Sequence, residues 1–296
     1  MKRLFILVAL LSLFFAMGCT SITEETSEKP VVTVSILPQK YFVEWIADTL
    51  VNVNVMIPPG ASPATFEPGS EQMKQLSQSQ LYLAIGHIVF EKSWGERFRE
   101  QNPQMNWVDQ STNMQLIRGT HEHHHDDAHE DDGHHHHHGV DPHIWTSPKS
   151  VMKQLPIIYE ALVELLPEHE AYLKAHYKTL FKRVELLDSA VEEQVAQMQQ
   201  KKFMIFHPAY TYFARDYGLE QIPIEFEGKE PTPGYLKEVV ETGKTEGIKH
   251  VFIQREFPIE NAKVVAEELD AEVVVVMPLA YDWFASMDRL LKQLAN

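Results

Sequence analysis

The sequence predicts an α/β protein of two lobes, each a mainly parallel sheet flanked by helices, joined by one long linking helix. In both halves of the chain, short β-branched or apolar runs alternate with amphipathic helical segments, a pattern typical of parallel sheets covered by helices. Between the halves, residues 168–200 contain no Pro or Gly and carry an apolar stripe at helical spacing, at Tyr172, Leu180, Val184, Leu187, Val191, Val195 and Met198. About thirty residues at 1.5 Å each make a rod of roughly 45 Å, long enough to join two lobes.

The N-terminal lobe is predicted over residues 31–166. Its strands are predicted at 31–36, 51–57 and 81–85, where β-branched and apolar residues cluster. Its helices are predicted at 39–50, 71–79, 91–100 and 149–166. Ligands of parallel sheets bind beyond the carboxyl ends of the strands, so the residues just after each strand are candidates for a site. His87 is one of them.

The linking helix is predicted over residues 167–200 and the C-terminal lobe over residues 201–296. Strands are predicted at 203–206, 222–224, 250–253 and 273–276, and helices at 235–246, 259–269 and 283–294. His207 directly follows the first of these strands and is the second strand-end candidate. His169 and His176 lie on the linking helix, where packing or surface exposure explains a histidine better than a ligand role.

The first 30 residues predict export and anchoring. Residues 1–18 form a signal peptide, with a basic start and an apolar run whose only polar residue is Ser12. Cys19 follows at once and is the only cysteine, so no disulfide forms within one chain. Its position predicts a lipidated cysteine, with an ordinary signal peptide as the alternative. Residues 19–30 are rich in Ser, Thr and Glu and predict a flexible tether.

The charge of the chain excludes some partners. Its formal net charge is -16, and loss of Lys2 and Arg3 with the signal peptide makes it -18. A strongly acidic chain without basic patches argues against nucleic acid or anionic lipid surfaces as partners. The same charge favours solubility outside the cytoplasm and a mild attraction for cations.

Residues 120–139 contain the most unusual composition. Ten histidines and six acids fall within 121–138, and no aliphatic side chain there is larger than alanine. Such a run cannot bury a core and predicts a mobile loop. Neutral imidazoles in this number would bind zinc, copper or nickel. An internal purification tag and a solvated loop without a role are the alternatives. His143 follows closely, between Pro142 and Ile144-Trp145.

Four segments together resemble a known family, the zinc- and manganese-binding solute-binding subunits (cluster 9) of bacterial ABC importers. They are Pro-Pro-Gly-Ala-Ser-Pro-Ala-Thr-Phe-Glu-Pro at 58–68, Asp-Pro-His-Ile-Trp at 141–145, Phe-His-Pro-Ala-Tyr-Thr-Tyr-Phe at 206–213 and Gly-Lys-Glu-Pro-Thr-Pro at 228–233. The likeness spans residues 31–296, and the His-rich loop resembles that of the zinc branch. It implies two α/β lobes joined by a rigid helix, with metal in the cleft.

The resemblance also implies ligands, two of which match. His143 and His207 stand at ligand positions of the family, whereas Ala64 replaces a ligating His and Met277 a ligating Asp. Two histidines hold zinc weakly, since its sites usually have three or four protein ligands. We therefore expect His87 or the His-rich loop to supply a further imidazole. The carboxylates considered as substitutes are Glu67, Glu91, Glu225 and Asp282, with Glu91 better explained by the positive end of its helix.

The function expected from this resemblance is capture of zinc outside the cytoplasm and its delivery to a cognate permease and ATPase. Manganese is the less favoured metal, because it prefers carboxylate oxygen to imidazole. The protein is expected to be a periplasmic or cell-surface lipoprotein held by Cys19, a monomer, and not an enzyme. A surface adhesin that binds metal is the alternative. A zinc hydrolase is disfavoured, because no His-Glu-x-x-His helix or nucleophile motif occurs.

Overall fold

The computed structural model describes residues 29–118, 139–225 and 231–295. The predicted signal peptide, the anchor at Cys19 and most of the tether lie outside the described residues. So do the His-rich stretch, apart from Gly139, and the first three residues of the segment 228–233. Within the described ranges, no helix combines the length and the apolar character needed to cross a membrane.

The N-terminal lobe contains a wholly parallel four-stranded sheet. Its strands are β1 (Val31–Val34), β2 (Asn52–Val55), β3 (Leu81–Ala84) and β4 (Asn106–Asp109), in the order β2-β1-β3-β4. Its helices are α1 (Leu37–Ala47), α2 (Ser70–Leu76) and α3 (Val89–Gln101). Strand β4 has no counterpart in the sequence prediction. It is secured by Trp107, whose ring stacks on Tyr82 of β3 with centroids 4.2 Å apart.

Two long helices connect the lobes. Helix α4 (Pro148–Leu165) ends at a short 3-10 turn, Pro167–His169, and α5 (Glu170–Gln197) follows with 28 residues, which is about 42 Å of helix. The predicted apolar stripe holds at five positions of α5, which are buried: Leu180, Val184, Leu187, Val191 and Val195. Tyr172, also assigned to the stripe, is exposed, and its neighbour Leu173 is buried instead.

The C-terminal lobe repeats the topology of the first. Its strands are β5 (Lys202–Ile205), β6 (Glu220–Pro223), β7 (His250–Gln254) and β8 (Glu272–Val276), all parallel in the order β6-β5-β7-β8. Its helices are α6 (Thr211–Tyr217), α7 (Pro233–Thr245), α8 (Glu260–Leu269) and α9 (Trp283–Leu294). Helix α6 was not predicted. The predicted fold class, two parallel-sheet lobes joined by a long helix, is confirmed.

One hydrophobic core runs through both lobes. Its buried cluster includes Val34 of β1, Leu155 of α4, Val184 of α5 and Ile205 of β5. The connecting helices α4 and α5 therefore pack against both lobes through this shared cluster.

Arg183 on α5 joins the two lobes at a second kind of contact. Its guanidinium carbon lies 4.5 Å from the ring centroid of Trp45 on α1 and 4.3 Å from that of Phe284 on α9. A cation over an aromatic face is attracted by the ring quadrupole. This contact adds to the shared core in fixing the relative position of the lobes.

We predict that Gly86→Ala lowers the free energy of unfolding by about 3 kcal/mol. Gly86 has φ +104, which costs an L residue about 1 kcal/mol or more. An added Cβ would also lie within 3 Å of Asp109 Oδ1 and Ser111 Oγ, and such overpacking costs about 1–3 kcal/mol. Urea unfolding of the purified variant measures the loss.

Gly247→Ala is the matched control for this substitution. Gly247 also has a positive φ, +66, but nothing lies within 4 Å of an added Cβ. Its loss should be limited to backbone strain, about 1 kcal/mol. Equal losses of unfolding free energy in the two variants would show that close contacts of the added Cβ with Asp109 and Ser111 do not add to the cost of Gly86→Ala.

Candidate metal centre

His207 follows β5 and is fixed through its backbone. The Gln254 side chain at the end of β7 accepts a hydrogen bond from His207 N at 3.2 Å through Oε1, and its Nε2 donates to His207 O. Strands β5 and β7 lie side by side at the topological switch point of the sheet, because β6 lies on the outer side of β5 and β8 on the outer side of β7. Ligands of such sheets bind at this point. The structure thus places His207 where the sequence predicted it.

His143 precedes a buried 3-10 turn, Ile144–Thr146, that leads into α4. The Asp141 carboxylate accepts a hydrogen bond from His143 N at 2.8 Å and contacts His143 Nδ1 at 2.9 Å. Thr146 Oγ1 donates to the carbonyl of His143 at 2.8 Å. Both the backbone and the ring of His143 are therefore held in one orientation.

The imidazole rings of His143 and His207 contact each other. His143 Nε2 and His207 Nε2 are 3.2 Å apart, and the ring centroids are 5.0 Å apart. Two nitrogens bound tetrahedrally to one zinc ion, each about 2.0–2.1 Å from it, would be about 3.3 Å apart. The observed spacing therefore fits a shared zinc ion without movement of either ring.

A carboxylate lies behind each imidazole. Glu225 Oε1 is 2.6 Å from His207 Nδ1, and its side chain is 6% exposed. Asp141 Oδ1 is likewise 2.9 Å from His143 Nδ1. Burial opposes ionisation of Asp141, but the charge and hydrogen bonds of His143 outweigh it and lower the pKa of the carboxyl. An ionised carboxylate only accepts, so the proton of each ring belongs on Nδ1, and a ring that carries no second proton offers its Nε2 lone pair to a metal.

When both rings carry their proton on Nδ1, the two Nε2 atoms are both acceptors, 3.2 Å apart. A metal ion held by both nitrogens would then remove the repulsion between their lone pairs.

His87 lies in the N-terminal lobe, one residue after Gly86 and just beyond the end of β3. Burial lowers the pKa of His87, Asp109 opposes that effect, and Lys92 adds to it. Over the ranges 29–118, 139–225 and 231–295, no three His, Cys, Asp or Glu side chains are grouped to hold one ion. The role of His87 as a third ligand stays a prediction.

The two departures from the family pattern are also located. Ala64 is exposed in a turn, and its N–H donates to Ser62 Oγ at 3.3 Å. Met277 directly follows β8 in the C-terminal lobe, where its carbonyl accepts from Ser286 Oγ at 2.7 Å. Neither side chain offers a nitrogen or oxygen ligand.

The carboxylates considered from sequence have different surroundings. Glu91 is buried and accepts hydrogen bonds from Ile85 N at 2.8 Å and Gly86 N at 2.7 Å, as well as from Ser35 Oγ. Burial raises the pKa of Glu91 to about 7. Its place in the first turn of α3 agrees with the interpretation that Glu91 lies at the positive end of that helix. Asp282 Oδ1 caps α9 by accepting from Ala285 N at 3.0 Å, and Glu67 is exposed.

Three functional contacts escaped the sequence interpretation. Asp141 was noted only as part of a motif, Glu225 only as an unranked carboxylate, and Gln254 not at all. The Asp-x-His spacing at 141–143 could have indicated the first, because it allows the carboxylate to turn back on the ring. The other two contacts join residues 18 and 47 positions apart, and no local pattern announces them.

The fold has two parallel-sheet lobes that share a hydrophobic cluster. Its candidate site has two imidazoles, each with a carboxylate behind it, that meet beyond the carboxyl end of β5. Together these features define a two-lobe metal-binding receptor. A family model described as zinc-uptake complex component A, periplasmic, matches residues 32–296. The chain belongs to that family, which confirms the resemblance found from its motifs.

Individual relatives agree over most of the chain. A putative metal-binding protein of Chlamydia trachomatis is 27% identical over 286 residues, which cover 96% of this chain and 98% of the relative. Zinc-binding protein AdcA of Streptococcus pyogenes is also 27% identical, but this chain spans only 56% of its length. A crystal structure of ZnuA superposes with a TM-score of 0.82 at 33% identity, covering 90% of this chain and 98% of that one. A zinc-bound ZnuA lacking its residues 138–173 gives 0.81.

Proposed function

We propose that this protein is the extracytoplasmic zinc receptor of an ABC importer, which captures zinc in the cleft and delivers it to a permease with its ATPase. The observation that carries the proposal is the pair of Nε2 atoms of His143 and His207, 3.2 Å apart, each on a ring whose Nδ1 faces a carboxylate. Membership of the zinc-uptake family supports it. AdcA, described as zinc-binding, supports the choice of metal.

The ligand chemistry favours zinc over manganese. Imidazole nitrogen suits zinc, whereas manganese prefers carboxylate and water oxygen. The two carboxylates nearest the pair, Asp141 and Glu225, contact the Nδ1 atoms and lie behind the rings. Met277 stands where the family has an aspartate. A manganese receptor of the same fold is the alternative.

The location and assembly follow from the sequence as part of the proposal. The apolar start and Cys19 support export and a lipid anchor, and residues 19–30 would tether the lobes to a membrane. We propose a monomer that presents its cleft to the permease. A metal-binding surface adhesin is the competing role, and genes for a permease and an ATPase beside this one would favour transport.

The first test is titration of the mature protein with zinc and with manganese. We expect one tight zinc site, and we expect His143→Ala and His207→Ala each to weaken it by about 3 kcal/mol or more, given the order of ~10 kcal/mol that a whole zinc site supplies. His169→Ala is the control, because this half-buried histidine on the turn before α5 contacts Glu168. Tighter manganese than zinc binding would overturn the specificity, and binding of neither metal would overturn the function.

The second test concerns the position left by Ala64. If His87 fills it, His87→Ala should weaken zinc binding as much as His207→Ala does. If water or a carboxylate fills it, His87→Ala should have no effect. Ala64→His should tighten zinc binding, because it adds a third imidazole at the family position. Calorimetric titration of the three variants distinguishes these cases, and an Ala64→His variant that binds no better would show that another group already closes the site.

The third test removes the His-rich stretch. Arg118 and Val140 form an antiparallel bridge, so the chain leaves and returns at one place. Residues 120–138 can therefore be replaced by an Asn-Gly turn, which suits a two-residue connection. We expect the shortened protein to fold and to keep one tight zinc ion while losing weaker additional ions. Loss of all tight binding would show that the stretch supplies a primary ligand. The zinc-bound ZnuA with an internal deletion supports the expectation.

A further inference from the structure

Tyr212 connects three parts of the chain through one hydroxyl. It is the second residue of α6, five positions after His207, and its side chain is buried. Its hydroxyl donates to the carbonyl of Asp141 at 2.8 Å and accepts from Ile117 N at 3.1 Å. The hydroxyl therefore contacts the segments on both sides of residues 119–138.

These two segments run antiparallel to each other. Arg118 pairs with Val140, and Asp141 N donates to the carbonyl of Ile117 at 2.9 Å. The reciprocal bond of that last pair, from Ile117 N to Asp141 O, is replaced by the tyrosine hydroxyl, which lies between the two groups. A hydroxyl can do this because it donates and accepts at once. A phenyl ring can do neither.

The ring of Tyr212 is itself held in place. The guanidinium of Arg215, three residues on along α6, lies over it with the carbon 4.9 Å from the ring centroid. Arg215 Nη1 also donates to the carbonyl of Gln115 at 2.8 Å. The segment before residue 119 is thus joined to α6 at two points.

We propose that Tyr212 is a positioning residue that sets the distance between His143 Nε2 and His207 Nε2 and holds the pair ready for metal. The path is short: the hydroxyl fixes the backbone of Asp141, and the Asp141 carboxylate fixes His143 N and Nδ1. At its other end, Tyr212 stands on the helix that begins just after His207. One residue therefore ties both imidazoles to a common frame. The inference rests on the proposed function.

Tyr212→Phe tests the inference, and Tyr217→Phe is its matched control. Tyr217 is on the same helix, and its hydroxyl donates to Asp188 Oδ1 at 2.6 Å, a contact that does not touch the histidine pair. Both variants lose one hydroxyl that makes a short hydrogen bond, so both should lower the temperature of unfolding of the metal-free protein. Only Tyr212→Phe should weaken metal binding.

Two measurements are made on the mature protein. Competition with a chromophoric chelator gives the zinc dissociation constant, and the visible absorption of the protein loaded with Co²⁺ reports the geometry around the ligands. We expect Tyr212→Phe to raise the zinc dissociation constant at least tenfold and to change the intensity of the cobalt bands. Tyr217→Phe should change the constant less than twofold and leave the bands as in the wild type.

Other results would overturn the inference. Wild-type affinity and an unchanged cobalt spectrum in Tyr212→Phe would do so while leaving the zinc receptor intact, whereas a wild type that binds no zinc would refute the receptor itself. Equal losses of affinity in the two variants would show a general effect of stability. If Tyr212→Phe does not fold, Arg215→Gln keeps the hydroxyl and removes its support. It should raise the dissociation constant about threefold, and no change there would count against the inference.

Discussion

The geometry of the candidate metal site depends on hydrogen bonds that pair buried backbone groups at the carboxyl ends of the strands. A strand that stops in the interior leaves N–H and C=O groups that must find partners. In the N-terminal lobe Gln39 serves this purpose, accepting from Ser35 N at 2.9 Å and donating to Leu83 O at 2.7 Å. In the C-terminal lobe Gln254 holds His207 in the same manner. Each lobe thus joins its two central strands with one buried glutamine.

The same requirement explains the acidic groups near the site. Glu91 satisfies the N–H groups of Ile85 and Gly86, and Asp141 satisfies that of His143. Both carboxylates close a turn, and Asp141 also contacts the ring of His143. Among the described residues, Asp141 and Glu225 beside the histidine pair and Glu91 at the end of β3 are each engaged with a hydrogen-bond donor.

The sequence was sufficient for the fold and for part of the candidate site. Alternating strands and helices, and an uninterrupted amphipathic run, are local signals, and they predicted both sheets and the linking helix. Strand β4 escaped because its stability comes from the Tyr82–Trp107 stack, a contact between residues 25 positions apart. Helix α6 escaped because its seven residues include three aromatics, which are indifferent helix formers. His143 and His207 were found from motifs, but the carboxylates and Tyr212 acquire their roles only when distant segments approach.

The hydrophobic cluster that both lobes share has a consequence for the lifetime of the protein. Because α4 and α5 pack into both halves, the described chain should open as one cooperative unit. A metal ion that binds only the folded form then stabilises all of it, by about 4 kcal/mol at a thousandfold excess over the dissociation constant. Proteases that cleave the transiently opened chain would meet it far less often when the metal is bound. The metal-free receptor is therefore the form that is degraded faster, so the supply of metal would help to set how much of the receptor persists.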